Sequence, residues 1–367
     1  MTPLPPPPPR RGQPNWRAIG AGAGVLVFAV AVAFGVRPLL RTSPAADVAL
    51  APSPAAVATP VTTRPRAKRQ GDGAQRRERQ QSTPRRTEPQ RTGSPQVVQP
   101  PVDDTLRPFA GLSTWIDIYD TDLTPQEQIS RAAAGGVELV FVQSARHKSK
   151  TDIQDAVRLG QVIEGAHDHG MLVMVWYVPD FVHERRDLRR SQTAIAFQSP
   201  RGDRPDAFGL DIEVEDQHDI ALRTQRLLGL SSALREWAGP QYPMAAIVLP
   251  PLQLELRADW WPNFPYAELR PYYNAFIPMS YSSYRGTDAA TTYRWNAQNV
   301  QLVRQEAGDP ALPIHLAGGI ADNFPQVGAF VKAVRDSRSL GGGLYDLHTT
   351  HPDAWKILRA LRAQLRN

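Results

Sequence analysis

The stretch Phe208–Asp216 reads FGLDIEVED, with Gly209, Asp211, Glu213 and Glu215 on one parity and Phe208, Leu210, Ile212 and Val214 on the other. Alternate side chains of an extended strand point to opposite faces, with same-face neighbours about 6.5 Å apart. One face of this segment is therefore apolar and the other carries a row of carboxylates. Acids that close in a confined space raise one another's pKa, which makes them acid/base candidates. A solvated acidic face on an amphipathic strand is the plainer reading, and the surrounding chain bears on the choice.

Outward from this segment, apolar runs of strand length alternate with helix-length amphipathic patterns from Phe109 onward. Strands are expected at 110–118, 137–143, 172–178, 208–214, 245–249, 275–281, 313–317 and 342–347. Helical patterns fall at 125–134, 151–169, 188–197, 218–237, 289–308, 325–337 and 353–365, with an irregular Trp/Pro-rich stretch at 252–269. Such alternation predicts parallel βα units, and the count suits an α/β chain folded as a (β/α)8 TIM barrel over 105–367. A doubly wound open sheet is the alternative. It wants a glycine-rich phosphate turn after the first strand, where GLSTWIDIYD (111–120) has one glycine.

The first 104 residues are of another kind. They hold 15 Lys/Arg against 6 Asp/Glu and 18 of the 35 prolines, while the remainder holds 27 basic and 30 acidic residues. The basic balance thus belongs to the N-terminal third, and a nucleic-acid footprint on the barrel is not expected. Residues 1–17 form a short basic, Pro-rich tail. Residues 18–36, AIGAGAGVLVFAVAVAFGV, carry no charge; as a helix they span about 28 Å, close to the hydrocarbon thickness of a bilayer. This run exceeds an ordinary signal-peptide core and lacks a good small-x-small cleavage site nearby, so a retained transmembrane helix is expected. The rest of that segment, 37–104, reads as a disordered Pro/Ala/Arg-rich linker. Its simplest role is a solvated spacer; attraction to an anionic wall polymer is the functional alternative. Together these segments predict a single-pass protein of the cell membrane with an extracellular C-terminal domain.

The active site of such a barrel lies at the C-terminal strand ends. Reading those ends gives Asp117, Tyr119 and Asp120, Gln143, Ser144 and Arg146, Trp176 and Tyr177, the acids Asp211, Glu213 and Glu215, then Tyr281, Tyr345 and Asp346, with Trp115 as a further stacking face. Aromatic faces suit the C–H sides of sugar rings, while carboxylates and amides suit their hydroxyls. The chain has no cysteine and no G-x-S-x-G elbow, which argues against acyl-enzyme chemistry. None of the eight histidines has the i, i+4 spacing of H-E-x-x-H, and all are expected to be exposed or capping. Neither a metal nor a cofactor is expected, although strand-four carboxylates could accept a hard cation. Trp260–Trp261 reads either as a substrate platform or as loop packing. Arg146 reads either as a clamp for an acidic sugar or as a surface ion-pair partner.

FGLDIEVE resembles the strand-four signature of the family 18 chitinase-like glycoside hydrolases, in which acids follow a glycine at every second position. That resemblance implies the proton donor is the last glutamate, Glu215. Met279–Ser280–Tyr281 resembles the same family's Met-x-Tyr-Asp, with Ser282 where its aspartate stands. Leu210–Glu213 is also similar to the D-x-E of family 25 lysozymes, which implies that Glu213 is the acid. The remainder, with FVQSARHKS (141–149), VMVWYVP (173–179) and IPMSYSSYR (277–285), resembles a group of actinobacterial membrane-anchored barrel proteins related to glycoside hydrolases. These resemblances imply a hydrolase of wall or extracellular polysaccharide using Glu213, Asp211 and Glu215. A non-catalytic polysaccharide-binding barrel is the alternative.

Overall fold

In the computed structural model, residues 103–364 are described, apart from Thr287 and Asp322. The expected tail 1–17, span 18–36 and linker up to residue 102 lie outside the described residues. Among those described, no helix is long and apolar enough to cross a membrane.

Eight parallel strands hydrogen-bond in chain order and close into a ring. They are β1 (Gly111–Ile116), β2 (Leu139–Arg146), β3 (Leu172–Val178), β4 (Ala207–Ile212), β5 (Met244–Val248), β6 (Ala275–Ser280), β7 (His315–Gly318) and β8 (Gly341–Leu344). The expected barrel is therefore the observed one, and every expected strand is found. Between the strands run α1 (Pro125–Gly135), α2 (Ala156–Asp168), α3 (Glu184–Ile195), α4 (Ile220–Ala238), α5 (Pro251–Leu256), α6 (Tyr266–Leu269), α7 (Ala289–Glu306) and α8 (Phe324–Asp336), and α9 (Ala354–Leu358) follows β8. The Trp/Pro-rich 252–269 stretch contributes the two short helices α5 and α6.

Local chemistry sets the helix starts. Thr124 and Glu127 form a reciprocal capping box ahead of Pro125 on α1, while Asp155, Asp219, Asp288 and Asn323 each accept a first-turn backbone N–H. Such caps are worth about 1 kcal/mol each. On α4 the residues Arg223, Leu227, Leu230, Ser231 and Leu234 are buried, a helical stripe facing the barrel.

Ring closure depends on glycine. β8 pairs with β1 through Gly111↔Gly341 and Leu112↔Gly342, and a Cβ built on Gly343 would lie 2.2 Å from the Ser113 carbonyl oxygen and 2.4 Å from its hydroxyl. That space is taken by Ser113 and His315, whose Oγ and Nε2 are 2.7 Å apart. His315 Nδ1 donates to the Phe109 carbonyl at 2.8 Å. Nε2 is therefore the acceptor and the ring is neutral, as its burial, which lowers the pKa to about 4, also requires. His315 is fully buried and His147 is 6% exposed, so the expectation of exposed or capping histidines fails for both. With Phe141 edge-on to His315 at 5.0 Å, these groups plug the base of the barrel.

Gly343→Ala should therefore destabilise the domain by about 2–3 kcal/mol, the scale of overpacking a core with no slack. Gly229→Ala, at an exposed position of α4 with open space around the site, should be neutral or stabilise by up to about 1 kcal/mol. Urea unfolding of both variants checks the contrast.

Candidate active site

β4 carries the acids in stages. Gly209 pairs with Trp176 of β3 and Ala245 of β5, and its missing side chain would meet Ile247 Cδ1 at 2.9 Å and Met174 Cε at 3.2 Å. Gly209 therefore faces the barrel interior, and Asp211, two residues on, stands one side-chain layer nearer the mouth. Asp211 is 5% exposed, and its Oδ1 is buried without a hydrogen-bond partner. Burial, then the charge of Glu213, raises its pKa well above the carboxylate range. The strand ends at Ile212, two residues short of the expected 208–214, because β5 offers no partner beyond Val248.

Glu213 is half-buried at the rim just past the strand. Desolvation moves its pKa up to about 7 against the lowering influence of Arg146. Glu215 lies in a different electrostatic setting. Burial raises its pKa too, but its charged neighbours are Arg223, Arg257, Asp259 and His218. Asp211 and Glu213 thus form one unit, and Glu215 belongs to the adjoining α4 and β5 loop surface.

The other expected residues divide into three groups. Trp115 (2% exposed) and Trp176 (4%) meet edge to face at 5.9 Å, and Trp115 lies 6.0 Å from Tyr345. These rings form the interior wall and floor rather than exposed platforms, although both indole N–H groups lack a partner. Tyr281 extends the row, 5.7 Å from Tyr345. Tyr177, adjacent to Trp176, points the other way and donates to Asp187 of α3 at 2.7 Å. It serves the helical shell and leaves the candidate set. Trp260 and Trp261 are buried, with Arg223 stacked over Trp261, so their role is loop packing.

A second acidic group forms where β1 meets β8. Oxygens of Asp117, Asp120 and Asp346 lie within 4.8 Å of one another, close enough to hold one hard cation. Tyr345 donates to Asp117 Oδ2 at 3.0 Å, the Asp117 amide to Asp120 Oδ2 at 3.0 Å, and the Thr349 amide to Asp346 Oδ1 at 2.8 Å. Burial, then the charges of Asp346 and Asp117, pushes Asp120 up to about 8, so at neutral pH this trio keeps a proton. Asp120 stands among the strand-end residues read from the sequence but not in the set of expected binding residues, since it comes from the turn after β1 and no strand parity points to it. The spacing of Asp117 and Asp120 across that turn was the available signal.

Gln143 and Arg146 join the two groups. Gln143 Oε1 accepts from the Ile118 amide at 3.2 Å, and Arg146 Nη1 donates to Tyr119 Oη at 2.6 Å. The Tyr119 amide in turn donates to Asp117 Oδ1 at 2.6 Å. The mouth therefore presents two carboxylate groups with raised proton affinity, a bridging guanidinium and a wall of aromatic rings. That set can move protons and meet a polyhydroxylated ligand. A groove of about 720 Å³ lined by Tyr293, Val300, Arg304, Asp309, Asp336 and Arg338 lies at the helix C-termini, the opposite end of the barrel.

No family model matches the sequence, and no curated protein matches it either. Solved structures do match. A chitinase from Bacteroides thetaiotaomicron aligns with a TM-score of 0.51 at 13% identity, over 70% of this chain and 96% of that one. A plant class V chitinase mutant from Cycas revoluta, solved in complex with (GlcNAc)3, aligns with a TM-score of 0.53 at 11% identity, over 70% and 100%. The spore cortex-lytic enzyme SleL of Bacillus megaterium aligns with a TM-score of 0.51 at 10% identity, over 69% and 74%. At these identities the likeness is one of fold, and the fold this chain shares is the (β/α)8 barrel of chitinases and a cortex-lytic enzyme.

Proposed function

We propose that residues 105–367 form a glycoside hydrolase acting on a cell-wall or extracellular polysaccharide, tethered to the cell membrane through residues 18–36. The basic linker would space the barrel from the bilayer and suits contact with an anionic wall polymer. One observation carries the reading: Glu213 sits half-buried at the mouth with its pKa near 7, directly beyond a buried Asp211 that shares its electrostatic field. The shared fold of chitinases supports it, as does the aromatic wall.

Protonated Glu213 donates its proton to the glycosidic oxygen as the C–O bond breaks; the proton of the incoming water returns to the Glu213 carboxylate in a retaining course and goes to a second carboxylate in an inverting one. Burial keeps the proton affinity of Glu213 high, and Asp211 beneath it, raised by its own burial and by the charge of Glu213, holds its proton more tightly still. The oxocarbenium charge that develops on the sugar calls for a second carboxyl group, and the β1–β8 group supplies three within 4.8 Å of one another. Asp117 and Asp346 are the candidates for this role, and the anomer of the first product, read by NMR, assigns retention or inversion. A non-catalytic glycan-binding barrel is the second reading. Ser282 favours it, standing where the family 18 pattern carries an aspartate and held instead against Asn296 of α7 at 3.4 Å. Glycan affinity without turnover, unchanged in an Asp211→Asn/Glu213→Gln double variant, would select that reading.

On peptidoglycan, chitin and α-glucan substrates, Glu213→Gln should lower kcat by about 10²–10⁴-fold, the usual worth of a general acid, with Glu215→Gln retaining most turnover. Full turnover in both variants would remove the assignment.

The pH dependence follows from the same group. As a general acid Glu213 works in its protonated form, so kcat/KM should fall as pH rises through about 7. Its folded pKa lies above the ordinary value of 4.5, so its ionisation costs stability that grows as pH rises from 4.5 to 7 and then levels off. Glu213→Gln should accordingly melt higher than wild type at pH 8 and show no such gain at pH 4. Equal melting shifts at both pH values would contradict the raised pKa.

A further inference from the structure

We propose that Arg146 is the recognition point for a carboxylate on the glycan, so that the substrate class is an acidic polysaccharide rather than a neutral one. This deepens the glycoside hydrolase reading and rests on it. Arg146 is half-buried at the end of β2. Its only side-chain hydrogen bond runs from Nη1 to Tyr119 Oη, and it forms no ion pair with any described acid. The other arginines around this mouth are occupied: Arg158 by the Asp120 and Leu123 carbonyls, Arg223 by the Trp260 carbonyl and the Trp261 ring, and Arg257 by Asp259. Arg223 also has two unpartnered donors, Nε and Nη1, but both are sealed from solvent, whereas Arg146, half-buried at the strand end, keeps part of its planar fork of donors without a side-chain or backbone anchor. That fork matches a carboxylate bidentately.

The residue is also held in place for the task. Beneath it Arg190, 5% exposed, donates to the carbonyls of Arg146, His147 and Ser149 at 2.6, 2.9 and 2.5 Å. The Arg146 amide donates to Ser149 Oγ at 3.0 Å. A loop clamped by a buried guanidinium costs little further ordering when a ligand arrives. Local charge favours a monoanion. Glu213, Asp211 and Asp216 stand nearby, and Lys148 is already 3.8 Å from Asp216, so there is too little free positive charge for a phosphate dianion.

Recognition and catalysis would then be coupled. Arg146 holds the proton affinity of Glu213 down. A carboxylate paired with Arg146 cancels that influence, so the ligand raises the proton affinity of Glu213 and loads the acid form only when the acidic sugar is in place. By linkage, binding takes up protons near pH 7.

The test compares chitotetraose with the tetrasaccharide of alternating N-acetylglucosamine and N-acetylmuramic acid, the second carrying free lactyl carboxylates, by calorimetry on the full chain at pH 7. The carboxylated ligand should bind about tenfold tighter or more, as a charge-assisted hydrogen-bond pair implies. In buffers of different ionisation enthalpy it alone should show proton uptake. Arg146→Gln should bring the affinity ratio close to one, and Tyr119→Phe, which removes only the orienting hydroxyl, should reduce the ratio part of the way. Equal wild-type affinities would overturn the carboxylate site while leaving the glycan reading intact. If neither tetrasaccharide binds, both fall. A preference that survives Arg146→Gln, or that is lost equally in Lys148→Gln, would overturn the assignment to Arg146.

Discussion

The closed ring is set by how tightly β8 must lie against β1. At Gly341 and Gly343 the neighbouring backbone approaches to within about the radius of a single atom of where a side chain would begin, so the last strand is built without side chains on its inner face. The room this frees is filled from the facing strands by the Ser113–His315 pair and Phe141. A sealed base leaves the opposite end as the place where polar groups on inward parities can meet solvent. Every chemical feature of the molecule follows from that asymmetry. Acids low on a strand are buried and hold their protons, and acids one layer higher reach the rim.

Asp211 and Glu213 illustrate the gradient. They are two residues apart on one face, yet one is sealed and the other half-open. Removing a carboxylate from water costs more the deeper it lies, so the lower group has the higher proton affinity, raised further by the charge of the upper one. Neither group needs an unusual partner for this. Depth along a strand and a neighbour of like charge are sufficient.

Much of this was legible in the residues. All eight strands were visible because their apolar runs are bounded by turn chemistry. The errors share one cause, which is that periodicity reports direction and not the extent of pairing. β4 stops at Ile212 although the alternation continues to Glu215, because the neighbouring strand has ended. Tyr177 was placed at the mouth beside Trp176, but consecutive strand residues face opposite ways, and its hydroxyl is taken by Asp187. Trp115 and Trp176 read as stacking faces, whereas packing density makes them wall. Asp120 was read at the end of the first strand but given no role, because a turn, not a strand, delivers it.

The two carboxylate groups are joined by a continuous path. From Glu213 it passes to the Arg146 guanidinium, then through the Tyr119 hydroxyl and amide to Asp117, and on to Tyr345 and Asp120. Charges this close in a partly desolvated mouth do not titrate independently. The cation that acts on Asp120 is Arg158, while Arg146 acts on Glu213. A ligand that neutralises Arg146 would shift Glu213 toward fuller protonation. On the proposed acidic substrate, a barrel of this kind would not need a dedicated switch to match its acid to its ligand, because the ligand's own charge would set the protonation state of Glu213.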